Sequence, residues 1–429
     1  MAVTRPPAGW FHGIAGDLAA IYRQGLVDLG IEVFDVPVDA FFPLDLPRIA
    51  RLTEELRAFA PELAIGLSHG SYALICRMPA GQDDYRRNLF TDVLDIPLLC
   101  LWDHPPLEFA DQLLGPLPDT PKASRSGALG NLRRALRHPR MIHWSRDRGQ
   151  TRIMLELDLI PPNRVIHVPA PALPPFSGHV PAPARPGAGF VGHVYQDRPP
   201  TRGPVVDGLT QQALAAWMAR VASSQRAAPS LWAALAQGIT ALTAVQRWRN
   251  GLSRNQTYFW RLAHRFILHE AQTTSRLAAL GAVHSSVACI GNLDAGAPGV
   301  PANLVASQGR VGFRDGLAEA LSRTEVTLDV LNPGFIEGYS HKPVLGFAAG
   351  GFMLVNRVAG WVDAFGEAGA AASWTDHDDL ATKLDRYLTR PALRQEIAAT
   401  IRAEIAARHT LRHALTRVLA EAASMIARR

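Results

Sequence analysis

Short apolar runs alternate with amphipathic stretches through the first part of the chain. Apolar residues at three- and four-residue steps predict helices over 17–29 and 47–60. Compact apolar segments predict strands in "IEVFDVPV" (31–38), "ELAIGLSHG" (62–70), "IPLLCLWDHP" (96–105) and "RVIHVPAPA" (164–172). Strands separated by helices imply a parallel sheet with helical crossovers, and such sheets bind ligands beyond the carboxyl ends of their strands. The pattern stops at "PAPALPPFSGHVPAPARP" (169–186), where the density of proline excludes a continuing helix or a central strand. It resumes with strand signals at 187–198, 286–292, 325–334 and 350–357, and the stretch from Asp378 onward is helical, broken at Pro391. The expected organisation is a Rossmann-like domain over 1–175, a linker over 176–186, a second Rossmann-like domain over 187–410 and a helix over 411–429. A helical block at 209–280 reads as an insertion in the second domain. The fold class is therefore α/β, with two Rossmann-like domains and a ligand in the cleft between them.

Composition supports a folded chain: of 429 residues, 48% are hydrophobic and 19% charged. The net charge of +6 comes from scattered arginines without a basic tail, which suits anionic small ligands and argues against nucleic acid as a partner. Cys76, Cys100 and Cys289 are far apart and form no CxxC pair, which points to a reducing compartment and away from disulfides or a structural zinc. His12 and Asp17 interrupt the apolar character of the first residues, so no signal peptide is expected and the protein reads as cytoplasmic. The uncharged segment 227–246 is about long enough to span a bilayer but carries proline, glycine, glutamine and threonines. It reads as a buried or partner-facing helix, and the 209–280 block as a place for protein or peripheral membrane contact.

The chemistry concentrates in "NPGFIEGYSHKPVLGFAAGGFMLVNR" (332–357), a polar, glycine-studded loop before a small-residue apolar run. One reading is a loop that opens a helix whose amide-rich end receives an anion; the other is an ordinary helix with a glycine-rich end. "GAGFVGHVYQDR" (187–198), this stretch, and a tail carrying His409-Thr410 occur in that order. Together they resemble the C-terminal half of bacterial GT-B glycosyltransferases of the CgeB-like spore-protein group. The matching residues are Phe190-Val191-Gly192, Arg198, Asn332, Glu337-Gly338, Lys342 and Ala349-Gly350-Gly351-Phe352. The resemblance covers about 187–419, and it implies two domains facing across a cleft, a nucleotide-sugar donor and no catalytic metal. It departs at Leu345, where members commonly carry a glutamate that anchors the nucleotide ribose.

In such a transfer, negative charge builds on the departing diphosphate, and fixed donors aimed at it contribute to rate. A helix amino end with an adjacent lysine supplies them. Gly192, His193, Arg198, Asn332, Glu337, Tyr339, Ser340, His341 and Lys342 are the expected donor and phosphate residues. The alternative is that Ser340 only caps a helix, Lys342 is solvated, and Asn332 makes an Asx turn before Pro333. His12 in "GWFHG", and Asp103 and His104 in "LWDHPP", are candidates to face the acceptor and to act as general base. "DHDD" (376–379) reads as a helix cap and not as a metal site. No GxGxxG after a first strand, Walker lysine, GxSxG or HExxH is present, which disfavours a dehydrogenase, a P-loop enzyme, an α/β hydrolase or a zinc protease. The expected function is glycosyl transfer from a nucleotide sugar, with no cofactor beyond that co-substrate, to a glycan, protein or lipid acceptor. A non-catalytic nucleotide- or sugar-binding regulator is the alternative.

Overall fold

The structure is a computed structural model that describes residues 2–5, 14–37, 45–67, 88–102, 133–156, 158–174, 185–192, 268–293, 299–309, 311–312, 316–332 and 334–428. It divides into two units: residues 1–169 together with 411–429, and residues 170–410.

The first unit is built on six parallel strands: β1 (Ala2–Arg5), β2 (Phe34–Pro37), β3 (Ala64–Leu67), β4 (Leu98–Trp102), β5 (Met141–Ser145) and β6 (Val165–His167), in the order β2-β1-β3-β4-β5-β6. Helix α1 (Ile14–Val27) crosses from β1 to β2, α2 (Leu46–Phe59) from β2 to β3, and α3 (Arg148–Glu156) from β5 to β6. The second of these shows how locally the sequence sets its ends. Asp45 caps α2 by accepting the Arg48 amide at 3.0 Å, Pro47 occupies the first turn, and Ala60 closes the helix in the left-handed region at φ 48°. Ile49, Leu52 and Leu56 form its buried stripe. Strands β4 and β5 are buried along their whole length, as expected for the middle of a parallel sheet covered on both faces. His143 on β5 is fully buried: its Nδ1 accepts from Trp102 Nε1 at 3.0 Å and its Nε2 lies 2.8 Å from the Leu136 carbonyl. The last helix, α10 (Leu411–Ala427), packs on α1, where Gly25 leaves space for Leu411 and Leu415. Arg164 reaches the Met425 carbonyl at 3.0 Å.

The second unit has six more parallel strands, β7 (Arg185–Val191), β8 (Val287–Ile290), β9 (Leu304–Gln308), β10 (Thr324–Asp329), β11 (Met353–Asn356) and β12 (Ser373–Trp374), ordered β12-β11-β10-β7-β8-β9. Helix α4 (Leu268–Gly281) leads into β8, α5 (Leu317–Ser322) into β10, α6 (His341–Ala348) into β11 and α7 (Ala359–Ala371) into β12. Helices α8 (His377–Thr389) and α9 (Pro391–Arg408) complete the unit, with Pro391 at the first turn of α9. Its order reverses between β7 and β10, with β8 and β9 running outward on one side and β11 and β12 on the other. Each unit is thus Rossmann-like: a parallel α/β sheet with helical crossovers.

Four strands were not legible in the apolar pattern. β1 lies near the start of the chain, β12 has two residues, and β5 carries His143 and Ser145. β9 sits at the sheet edge with Val305 half exposed. β7 begins at Arg185, two residues before the expected start of the second domain. The helical block expected at 209–280 is corrected at its end, because α4 is the crossover helix into β8 and an integral part of the sheet unit. The rest of that block lies outside the described residues, as does 227–246. No helix among the described residues is long and apolar enough to cross a membrane. At the end of α9, the His409 carbonyl accepts the Ala172 amide at 2.7 Å, and Thr410 bridges Ala172.

Candidate functional site

The polar loop at 330–340 runs from the carboxyl end of β10 to the start of α6. Leu328 pairs with Phe190, so Asp329 and Val191 stand together at the ends of β10 and β7, where the strand order reverses. Ligands of open α/β sheets bind at this junction.

Ser340 is the N-cap of α6, accepting the Lys342 amide on its hydroxyl at 3.3 Å. Lys342 follows in the first turn and sends its ammonium across the strand ends. Nζ lies 3.4 Å from Asp329 Oδ1 and 3.3 Å from the Val191 carbonyl. The lysine side chain is 23% exposed and the aspartate side chain 3%. Lys342 is therefore not a solvated surface lysine. Burial pulls its pKa down, Asp329 opposes that pull, and Arg276 on α4 adds to it. Arg276 is itself buried at 5% exposure, with its guanidinium carbon 5.7 Å from the centroid of the Phe190 ring.

The small residues behind the helix start bring it close to the sheet. A Cβ on Gly346 would sit 2.5 Å from Met353 Sδ, and one on Gly351 would sit 2.8 Å from the Leu321 carbonyl oxygen. The glycine run thus packs α6 against β11 and α5, so its amino end stays fixed at the junction. The loop is held from the other side by α7: the Gly360 amide donates to the Glu337 carbonyl at 2.7 Å. A side chain on Gly360 would meet that carbonyl oxygen at 2.6 Å.

The expected donor residues separate into two groups. Ser340 and Lys342 are brought to the junction, together with Gly192, whose amide donates to the Ile290 carbonyl at 2.9 Å. The Phe190 ring fills the space that a side chain at Gly192 would take. The Tyr339 and His341 side chains are buried beside the helix start. Tyr339 is 2% exposed, edge-on to Trp361 at 5.3 Å, and its hydroxyl has no hydrogen-bond partner among the described residues. Burial raises its pKa. His341 is 5% exposed and its Nδ1 lies 2.9 Å from the Pro171 carbonyl. Asn332 closes an Asx turn, with its side-chain oxygen accepting the Gly334 amide at 2.9 Å. Glu337 is half-buried and holds α7 through its carbonyl. Leu345 is a core residue at 3% exposure. His12, Asp103, His104, His193 and Arg198 lie outside the described residues.

Asp329 and Arg276 were missed by sequence reasoning. Asp329 had a signal, a lone carboxylate inside the mostly apolar run "VTLDVL". Arg276 had none, because an arginine in an alanine- and leucine-rich helix reads as a solvated face. "DHDD" resolves as a cap: Asp376 Oδ1 accepts the Asp379 amide at 2.8 Å, a bond that lowers the Asp376 pKa. Among the described residues no cluster of His, Cys, Asp or Glu could hold a metal ion.

Residues 261–420 match the glycosyl transferase-like family. That stretch contains Arg276, Asp329 and the whole of α6 with its loop. Among solved structures, sucrose-phosphate synthase from Thermosynechococcus elongatus is similar over 100% of this chain and 99% of its own, at 13% identity and TM-score 0.47. A glycosyltransferase from Rickettsia africae ESF-5 is similar over 94% and 87%, at 10% identity and TM-score 0.39. The glycosyltransferase SnogD from Streptomyces nogalater covers 98% of each chain, at 13% identity and TM-score 0.36. No curated protein shows significant sequence similarity to the chain.

Proposed function

We propose that the chain is a glycosyltransferase that takes a sugar from a nucleotide donor and binds the donor's diphosphate at the amino end of α6. One observation carries this reading: the Lys342 ammonium sits at the carboxyl ends of β7 and β10, where the strand order reverses. A cation and a helix amino end at that point offer fixed positive charge to a leaving diphosphate. In the reaction, the anomeric C–O bond to the diphosphate breaks and a bond to an acceptor oxygen forms. The acceptor proton passes to a base, and nucleoside diphosphate departs. His12, Asp103 and His104 remain the residues proposed for the acceptor side, and a glycan, protein or lipid the proposed acceptor. In this scheme Lys342 and the helix end lie on the side of the departing diphosphate.

The test is a thermal-shift panel of UDP, GDP, dTDP and CMP sugars. A ligand at one hundred times its Kd stabilises by about 2.7 kcal/mol. Lys342→Ala should abolish the shift given by the preferred donor, and an unchanged shift in that variant would remove Lys342 from the site. Leu345 favours a second reading, because the place where the resemblance implies a ribose-anchoring carboxylate is an apolar core position. A regulator on this scaffold would bind nucleotide without hydrolysis or transfer, so product analysis separates the two.

A further inference from the structure

Arg146 stands just beyond β5, at the carboxyl edge of the first unit's sheet, the edge at which open α/β sheets bind ligands. Trp144 and Arg146 lie two residues apart, so both side chains point to the face that α1 covers. There Trp144 meets Tyr22 of α1 edge-on at 5.8 Å, and Arg146 Nη2 donates to the Tyr22 hydroxyl at 2.8 Å. The turn that carries Arg146 is fixed: Ser145 Oγ donates to the Asp147 carbonyl at 3.0 Å and accepts from Thr151 Oγ1 at 2.7 Å. Arg146 is 7% exposed, and its Nε has no hydrogen-bond partner among the described residues. No carboxylate among the described residues forms an ion pair with it. Its neighbour Asp147 accepts the Gln150 amide at 3.1 Å, at the start of α3. An arginine keeps its charge when buried, and a buried charge calls for a counter-charge or a full set of hydrogen bonds. Here a cation is held out of water at a ligand-binding edge against a neutral phenol.

We propose that Arg146 is the recognition site for one oxyanion, a phosphate or a carboxylate, on the molecule that the first unit binds. In the glycosyltransferase reading, on which this step rests, that molecule is the acceptor, and the acceptor is therefore anionic. A guanidinium matches the oxygens of either group, and Tyr22 already holds it in one orientation, so little side-chain entropy is lost when the anion arrives. The site belongs to the first unit and is distinct from Lys342, which belongs to the second.

Isothermal titration of the full chain with inorganic phosphate, glucose 6-phosphate and glucuronate, with glucose as the uncharged control, tests the proposal. At least one of the three anions should bind wild type and Lys342→Ala alike, and the preferred one tells phosphate from carboxylate. Arg146→Met should weaken that binding roughly tenfold or more, the scale of one charge-assisted hydrogen bond. Without ligand, Arg146→Met should melt no lower than wild type, because methionine keeps the apolar stem and removes an unpaired buried charge. A purely structural arginine would melt lower as methionine and leave the titration unchanged. Failure of all three anions to bind wild type, or binding by Arg146→Met within twofold of wild type, overturns the proposal. Anion binding that Lys342→Ala abolishes and Arg146→Met keeps also overturns it, and leaves the diphosphate reading standing. That reading fails separately, through the nucleotide-sugar panel with Lys342→Ala. Should Arg146→Met fail to fold, Arg146→Gln is judged by the same change in affinity.

Discussion

Replacing Lys342 by methionine leaves Asp329, whose side chain is 3% exposed, without its cation. Stripping one partner from a buried ion pair costs on the order of 3–5 kcal/mol, because an unpaired charge stays desolvated. The lysine side chain is 23% exposed, so some water reaches the pair and the lower end of that range applies. For a unit of this size each kcal/mol moves Tm by about 2–4 °C, so Lys342→Met should melt roughly 6–12 °C lower. Asp329→Asn in the same chain removes the stranded charge. A pair replaced by uncharged residues is often near neutral, so the double variant should recover most of the loss. Urea unfolding followed by far-UV circular dichroism measures all four proteins, and the double-mutant cycle isolates the coupling. Donor binding should not recover in the double variant, which separates the stabilising role of the lysine from its proposed role in binding. If Lys342→Met unfolds within about 0.5 kcal/mol of wild type, the ion pair is not a buried one and this reasoning is refuted.

Two further outcomes follow from the geometry. Burial lowers the pKa of His143 from 6.5 to about 4; the unfolded chain therefore takes up the proton first, and stability present above pH 6.5 should be lost as pH falls toward 4. That loss should reach about 3 kcal/mol for the first unit, and His143→Phe should remove this pH dependence while costing about 1–3 kcal/mol at neutral pH for the lost Trp102–His143 hydrogen bond. Gly360→Ala forces a Cβ to 2.6 Å from the Glu337 carbonyl oxygen. It should destabilise by about 1–3 kcal/mol, as overpacking does, and weaken donor binding by shifting the loop before Ser340; unchanged binding in a folded variant would show that the loop is not held from that side.

Much of this protein was decided by local sequence. The 3.6-residue period set α1 and α2, the apolar runs set β4, β8 and β11, Asp376 set the start of α8, and Ser340 set that of α6. These features depend on neighbours a few residues apart, so composition and spacing carry them. Short or polar strands such as β1, β9 and β12 take their structure from pairing partners far away in the chain, which no local pattern records. The site divides in the same way. The helix start and its lysine were visible as a motif, whereas tertiary structure alone turned Tyr339 and His341 into the core and brought Asp329 and Arg276 into the electrostatics of Lys342. Electrostatic and packing roles depend on distance in space: Asp329 meets the Lys342 ammonium, and Arg276, 66 positions before Lys342 in the chain, comes within its electrostatic reach, only in the folded sheet.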